Sequence, residues 1–131
     1  MLTICDTHML IWWSANSPKL SSRARMAMES AAANAELAVA DITLWEITLL
    51  AAHGHIQLPI PVTDYLTDLI LALRLRVLPI TPAIAVAAQA SDIVQGDPAD
   101  RLILATARQE GAVLLSADAK FRELSGLSVV W

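Results

Sequence analysis

With 131 residues and 56% apolar side chains, the chain has the length of one compact domain and is too apolar to be disordered. Its net charge of −4 and pI near 5.2 exclude a protein that grips nucleic acid by bulk positive field, yet they leave open a phosphate enzyme whose bound cations reverse the local sign. A single cysteine, Cys5, excludes an internal disulfide and lies in an apolar run, which favours a buried thiol in a reducing cytosol.

Residues 2–5 form a short apolar run suited to a buried strand, with no charged n-region and long apolar stretch of the signal-peptide kind. After Asp6, THMLIWWSA has helical spacing with Leu10 and Trp13 on one face, and SPKLSS is a polar break. Ser21 or Ser22 can cap a helix through SRARMAMESAAA, which is rich in helix formers, and ELAVA reads as a second strand. Asp41 is placed to cap the helix ITLWEITLLAAH and Gly54 to end it. LPIP then connects to a helix through DYLTDLILALRL, with Thr63 as its cap, and RVLPI is the third strand. The apolar stretch 65–80 carries Asp68, Arg74 and Arg76, so it is not a plain membrane span, and a cytoplasmic domain is expected.

In TPAIAVAAQAS, Thr81 caps and Pro82 takes the first helical position, where a missing N–H costs little. DPADRLILATARQEG repeats the device with Asp97, Pro98 and a closing Gly111. AVLLS is a strand, DAKFREL a short helix and LSVVW a final strand. Strands and helices alternate, and the strands lack period-two polarity. That pattern predicts a mainly parallel sheet covered on both faces, a three-layer α/β/α sandwich spanning residues 1–131 as one domain.

Four acids lie in or beside apolar sequence, where an uncompensated carboxylate is costly: Asp6, Glu46, Asp100 and Asp118. Ligands of open parallel sheets bind beyond the carboxyl ends of the strands. Asp6 follows the first strand and Asp118 the fourth, while Asp100 and Glu46 lie early in helices that start near that edge. All four can therefore converge. Each also has a plain alternative: Asp6 and Asp118 can cap helices, Asp100 can reach back toward the cap amide, and Glu46 can lie on an exposed stripe. As a group they suit a hard cation such as magnesium, which activates water and stabilises the leaving oxygen of a phosphodiester.

The segments Asp6-Thr7-His8, Leu44-Trp45-Glu46-Ile47, Gly96-Asp97-Pro98-Ala99-Asp100-Arg101 and Leu115-Ser116-Ala117-Asp118 with Phe121 resemble, in order, the motifs of PIN-domain proteins. The resemblance covers essentially the whole chain and is nearest to the VapC-type toxins of bacterial toxin–antitoxin pairs. It implies an endoribonuclease dependent on Mg2+ or Mn2+ and kept silent by a cognate VapB-like antitoxin, as a homodimer or toxin–antitoxin hetero-oligomer. It implies that Asp6, Glu46, Asp100 and Asp118 bind the metal, with the Thr7 hydroxyl beside the first carboxylate. Asp97 is then a helix cap supporting the ligands, and Arg101 either positions RNA phosphate or pairs with a neighbouring acid. Two positions depart from the pattern: Gln95 stands where relatives often carry histidine, and His53-Gly54-His55 where a basic residue is common.

Other features have plainer readings. His53 and His55 suit a helix C-terminus, and His8 a packing or hydrogen-bonding role. Trp12, Trp13 and Trp45 suit a core or a dimer interface rather than a stacking platform, and the apolar helix around Leu66–Leu75 suits burial or a second subunit. Walker A, dinucleotide glycine, HExxH and G-x-S-x-G patterns are absent. A PIN-fold binding protein without efficient cleavage is the alternative; a receiver-like phospho-acceptor lacks the lysine it needs after a late strand.

Overall fold

The computed structural model describes residues 1–90, 97–124 and 126–131. In chain order they form β1 (Thr3–Cys5), α1 (Thr7–Ser14), α2 (Ser22–Ala33), β2 (Leu37–Ala40), α3 (Ile42–Ala52), α4 (Val62–Leu73), β3 (Arg76–Leu78), α5 (Pro82–Ala87), α6 (Pro98–Glu110), β4 (Val113–Leu115), α7 (Ala119–Arg122) and β5 (Ser128–Val130). The five strands make one sheet in the order β3-β2-β1-β4-β5, and every pairing is parallel.

Side chains alternate across that sheet, so neighbouring residues of one strand enter different cores. Cys5, Leu37, Val39 and Leu115 face a core built with Met9, Leu10, Met28, Leu69 and Leu73 of α1, α2 and α4. Ile4, Ala38, Ala40 and Leu114 face a second core with Ile103, Leu104 and Ala107 of α6 and Phe121 of α7. Apolar residues on both faces of strands of three and four residues are what a fully covered parallel sheet requires, and the three-layer α/β/α reading holds. Strand order reverses at β1, which lies between β2 and β4. Such a reversal leaves a crevice at the carboxyl edge, because the helices joining β1 to β2 cover one face of the sheet and α6, which leads into β4, covers the other.

Helix ends follow the sequence at most points and depart from it at two. Ser21, Thr81 and Asp97 cap α2, α5 and α6, accepting from Ala24, Ile84 and Asp100 backbone N–H groups. Gly111 ends α6 at φ 60°, a left-handed conformation in which a Cβ would be strained. His53 occupies the C-cap of α3, followed by Gly54 at φ 73°.

Thr63 does not cap α4. The helix begins at Val62 behind Pro61, whose fixed φ of −53° sets up the first turn two residues earlier than the threonine suggests. Asp41 stands before α3 but makes no side-chain cap bond; its Oδ2 accepts from the Ile80 N–H at 3.0 Å. A helical backbone at Asp41 (φ −59°, ψ −30°) turns its carboxylate away from the first turn and toward the segment leaving β3. Trp45 is not in the core, since 56% of it is exposed. Among the described residues, no helix is long and apolar enough to cross a membrane.

Candidate metal centre

Asp6 is delivered by the central strand. It caps α1, with Oδ1 accepting from the Thr7 N–H at 2.8 Å, while Oδ2 accepts from the Ser116 hydroxyl at 2.8 Å. Both oxygens are therefore aimed from opposite sides, one by the chain that follows and one by the loop after β4. Ser116 is fully buried and also accepts from the Asp118 N–H at 3.1 Å, which joins the turns after β1 and β4.

Glu46 projects from the second turn of α3 among apolar neighbours. The buried Thr7 hydroxyl is hydrogen-bonded to Glu46 Oε1 and lies 3.2 Å from the Thr43 hydroxyl, one turn earlier on α3. Thr7 thus supports the carboxylate of Glu46 through its side chain and that of Asp6 through its backbone. Asp97 and Asp100 arrive on the first turn of α6, which packs against α3. Asp118 caps α7 through the Lys120 N–H at 2.9 Å and pairs loosely with the Lys120 ammonium at 3.6 Å.

These residues line one cavity of about 360 Å³, shared by Asp6, His8, Met9, Trp12, Glu46, Asp97, Asp100, Ala117 and Asp118. The four acids singled out by sequence are brought to one place. Asp97 joins them: oxygens of Glu46, Asp97 and Asp100 lie within 4.8 Å of one another. Arg101, on the next position of α6, lines a neighbouring cleft of about 450 Å³ with Ala88, Gln89 and Leu102 instead. Gln95 and Gly96 lie outside the described residues.

Crowded carboxylates resist ionising together. Asp100 has its pKa pushed up from 3.8 to about 7, first by burial and then by the charges of Asp97, Asp6 and Glu46, against a smaller opposing pull from Lys120. Burial also raises Asp6, opposed chiefly by the Ser116 and Thr7 hydrogen bonds. Glu46 is raised by burial as well, opposed first by its bond to Thr7. Five carboxylates, three of them held above their ordinary range, form an oxygen donor set whose charge a hard divalent cation relieves. The residues fit magnesium or manganese and lack the sulfur and paired imidazole ligands of a zinc site.

Two supporting groups escape sequence inspection. Ser116 ends an apolar strand, and a hydroxyl there needs a buried partner, which is a usable signal; that the partner is Asp6, 110 residues away, is not. Thr43 looks like an ordinary first-turn threonine until Thr7 is placed against it.

The chain matches the PIN domain family model over residues 3–127. Ribonuclease VapC22 of Mycobacterium tuberculosis is 43% identical over 120 residues, covering 91% of this chain and 88% of that protein. Similar solved structures include VapBC2 from Rickettsia felis bound to a DNA fragment from its promoter, with a TM-score of 0.72 at 19% identity over 99% of this chain and 98% of that one. FitAcB from Neisseria gonorrhoeae gives 0.68 at 20% identity, covering 99% and 97%. A toxin–antitoxin complex from Klebsiella pneumoniae gives 0.58 at 19%, covering 95% and 94%. At these identities the structural likeness speaks for the fold.

Proposed function

The chain belongs to the PIN-domain family, and from that premise we propose that it is a metal-dependent endoribonuclease, the toxin of a toxin–antitoxin pair. The observation that carries this reading is the convergence of Asp6, Glu46, Asp97, Asp100 and Asp118 on one cavity at the carboxyl edge of the sheet. The 43% identity to a named ribonuclease supports the substrate class. Residues 1–131 act on this reading as one nuclease domain working on RNA in the cytoplasm.

Asp6, Glu46, Asp100 and Asp118 are the proposed ligands of Mg2+ or Mn2+, and the position of Asp97 supports adding it to that set. A cation held there supplies the positive charge that polarises a phosphate and acidifies an attacking water. The protein supplies the rest. Thr7 and Ser116 hold the carboxylates of Asp6 and Glu46 before any ligand arrives, so these two need little ordering at the moment of binding. Raised proton affinities mean that ligand binding releases protons, and activity should climb with pH until the carboxylates are free. No protein nucleophile is required. Arg101 is kept as a contact for RNA flanking the cavity, from the adjoining cleft.

An antitoxin is the proposed partner, a reading supported by the likeness to a toxin–antitoxin complex among the solved structures. A segment carrying arginine would compete for an acidic cavity of this kind. Exposed Trp45 and Leu71 on α3 and α4 offer apolar area to a second copy or to that partner.

The test is RNA cleavage by purified protein with Mg2+ or EDTA, beside Asp6→Asn and Glu46→Gln. Cleavage should require metal and fall at least a hundredfold in each variant, on the order expected for a lost charge-stabilising contact. Activity that persists in EDTA, or in both variants, overturns the assignment. The alternative, an RNA- or partner-binding PIN protein without efficient turnover, draws its support from the net charge of −4 and predicts binding without cleavage in the same assay.

A further inference from the structure

The wall of the acidic cavity that lies on α1 carries two aromatic rings, His8 and Trp12, beside Met9, and metal binding does not call for the pair of rings. His8 and Trp12, one turn apart, both line the cavity; their ring centroids are 5.7 Å apart at 49°. Trp12 in turn meets Trp131 at 5.9 Å and 57°. The imidazole is exposed while Trp12 is half-buried and packs on the core, so the row is anchored at one end and open at the other. Core packing alone accounts for Trp12 and Trp131. It does not account for an exposed ring extending the row into a site lined otherwise by five acids, Met9 and Ala117.

We propose that His8 and Trp12 form a stacking face for the nucleobase next to the scissile phosphate of a single-stranded RNA, holding it at the edge of the carboxylate cavity. This rests on the nuclease reading above and adds a positioning role to it. The chemistry is complementary. Carboxylates and their cation take the phosphate, but they offer nothing to the base. A tilted imidazole–indole pair offers a π-face to any base, and so favours an unpaired strand over a duplex without selecting sequence. In a chain of net charge −4, stacking also supplies affinity that a basic groove would otherwise provide.

The test uses protein in which Trp13 and Trp45 are replaced by Phe, leaving Trp12 and Trp131 as the emitters. A short oligoribonucleotide with Mg2+ should quench their fluorescence, and an oligomer abasic beside the cleavage site should bind about tenfold more weakly, the scale of one base–aromatic contact. His8→Ala should raise KM about tenfold with little change in kcat and should abolish the difference between intact and abasic RNA; His8→Phe should restore both. A merely structural His8 would leave the abasic penalty intact, and that result overturns the proposal. Loss of Mg2+-dependent cleavage of every substrate with quenching retained would refute the nuclease reading while leaving the stacking face standing. Absence of quenching by any RNA refutes the stacking face.

Discussion

Replacing Asp100 by Asn should stabilise the metal-free protein at neutral pH, although it deletes a residue of the centre. The Asp100 carboxyl has its pKa raised from 3.8 to about 7, because burial and the charges of Asp97, Asp6 and Glu46 penalise its ionised form. At 1.36 kcal/mol per pKa unit the full linkage is about 4 kcal/mol. Asp100 is only half-buried, so solvent screening reduces this to about 2 kcal/mol. Its charge also sits in the first turn of α6, where the helix dipole favours it by about 0.3–1 kcal/mol, and the amide forfeits that. The net gain should be about 1 kcal/mol, or about 3–5 °C in Tm for a domain of this size.

The sign depends on pH. Between pH 3.8 and about 7 the folded state keeps a proton that the unfolded chain has released, so metal-free wild-type protein loses stability as pH rises across that window. The advantage of Asp100→Asn should be near zero at pH 4 and complete by pH 8. Magnesium reverses the order: at ten times its Kd it stabilises the wild type by about 1.4 kcal/mol, and the variant by much less. Thermal unfolding of both proteins in EDTA and in Mg2+ at pH 4, 6 and 8 measures all of this. A variant less stable than wild type in EDTA at pH 8, or one equally stabilised by Mg2+, would refute the reasoning.

Removing the donors that hold the acids should act in the opposite direction. Ser116→Ala strips Asp6 of a hydrogen bond that opposes its raised pKa and leaves the Asp118 N–H without its acceptor; it should cost about 1–3 kcal/mol by denaturant unfolding and move the acidic limb of the pH–activity profile upward. Thr7→Val keeps the volume but deletes the hydroxyl bonded to Glu46, so Mg2+ affinity, read by titration calorimetry, should fall about tenfold or more, with the fold intact by circular dichroism. Leu104→Ala opens the core under α6 and should cost about 2–5 kcal/mol in urea midpoint measurements, without altering metal affinity per folded molecule.

Much of the architecture could be read from the residues because local chemistry and global packing agree there. Short apolar strands with no alternation mean two covered faces, and Ile4 and Cys5 do face opposite cores. Asp97-Pro98 and Thr81-Pro82 start helices where cap and ring chemistry say they should. The failures have two causes, a tertiary partner that outbids the local one at Asp41 and a nearby proline at Thr63. Asp41 has cap chemistry but accepts from Ile80, because β2 and β3 lie side by side and bring that N–H within reach. Thr63 loses its place to Pro61, whose ring fixes the entry of α4 earlier. Within the site, Asp6 and Glu46 were conspicuous as acids in apolar sequence. Their supports were not: Thr7 meets Glu46 across 39 residues and Ser116 meets Asp6 across 110, distances at which side-chain spacing carries no information. Asp97 likewise reads as a cap from sequence, and only the packing of α3 against α6 brings Glu46 beside it.

The pairing of β1 with β4 gives the cavity a timetable. A ribosome that has released residues 1–90 has already made Asp6, Thr7 and Glu46, but Asp97, Asp100, Ser116 and Asp118 are still to come. Until β4 docks, the central strand has an open edge, the Asp6 carboxylate lacks its serine, and no acidic cavity exists. Whatever chemistry the finished protein performs, the nascent chain is incapable of it. The interval in which a newly made copy becomes competent therefore begins only after residues 97–118 have emerged and β4 has paired with β1.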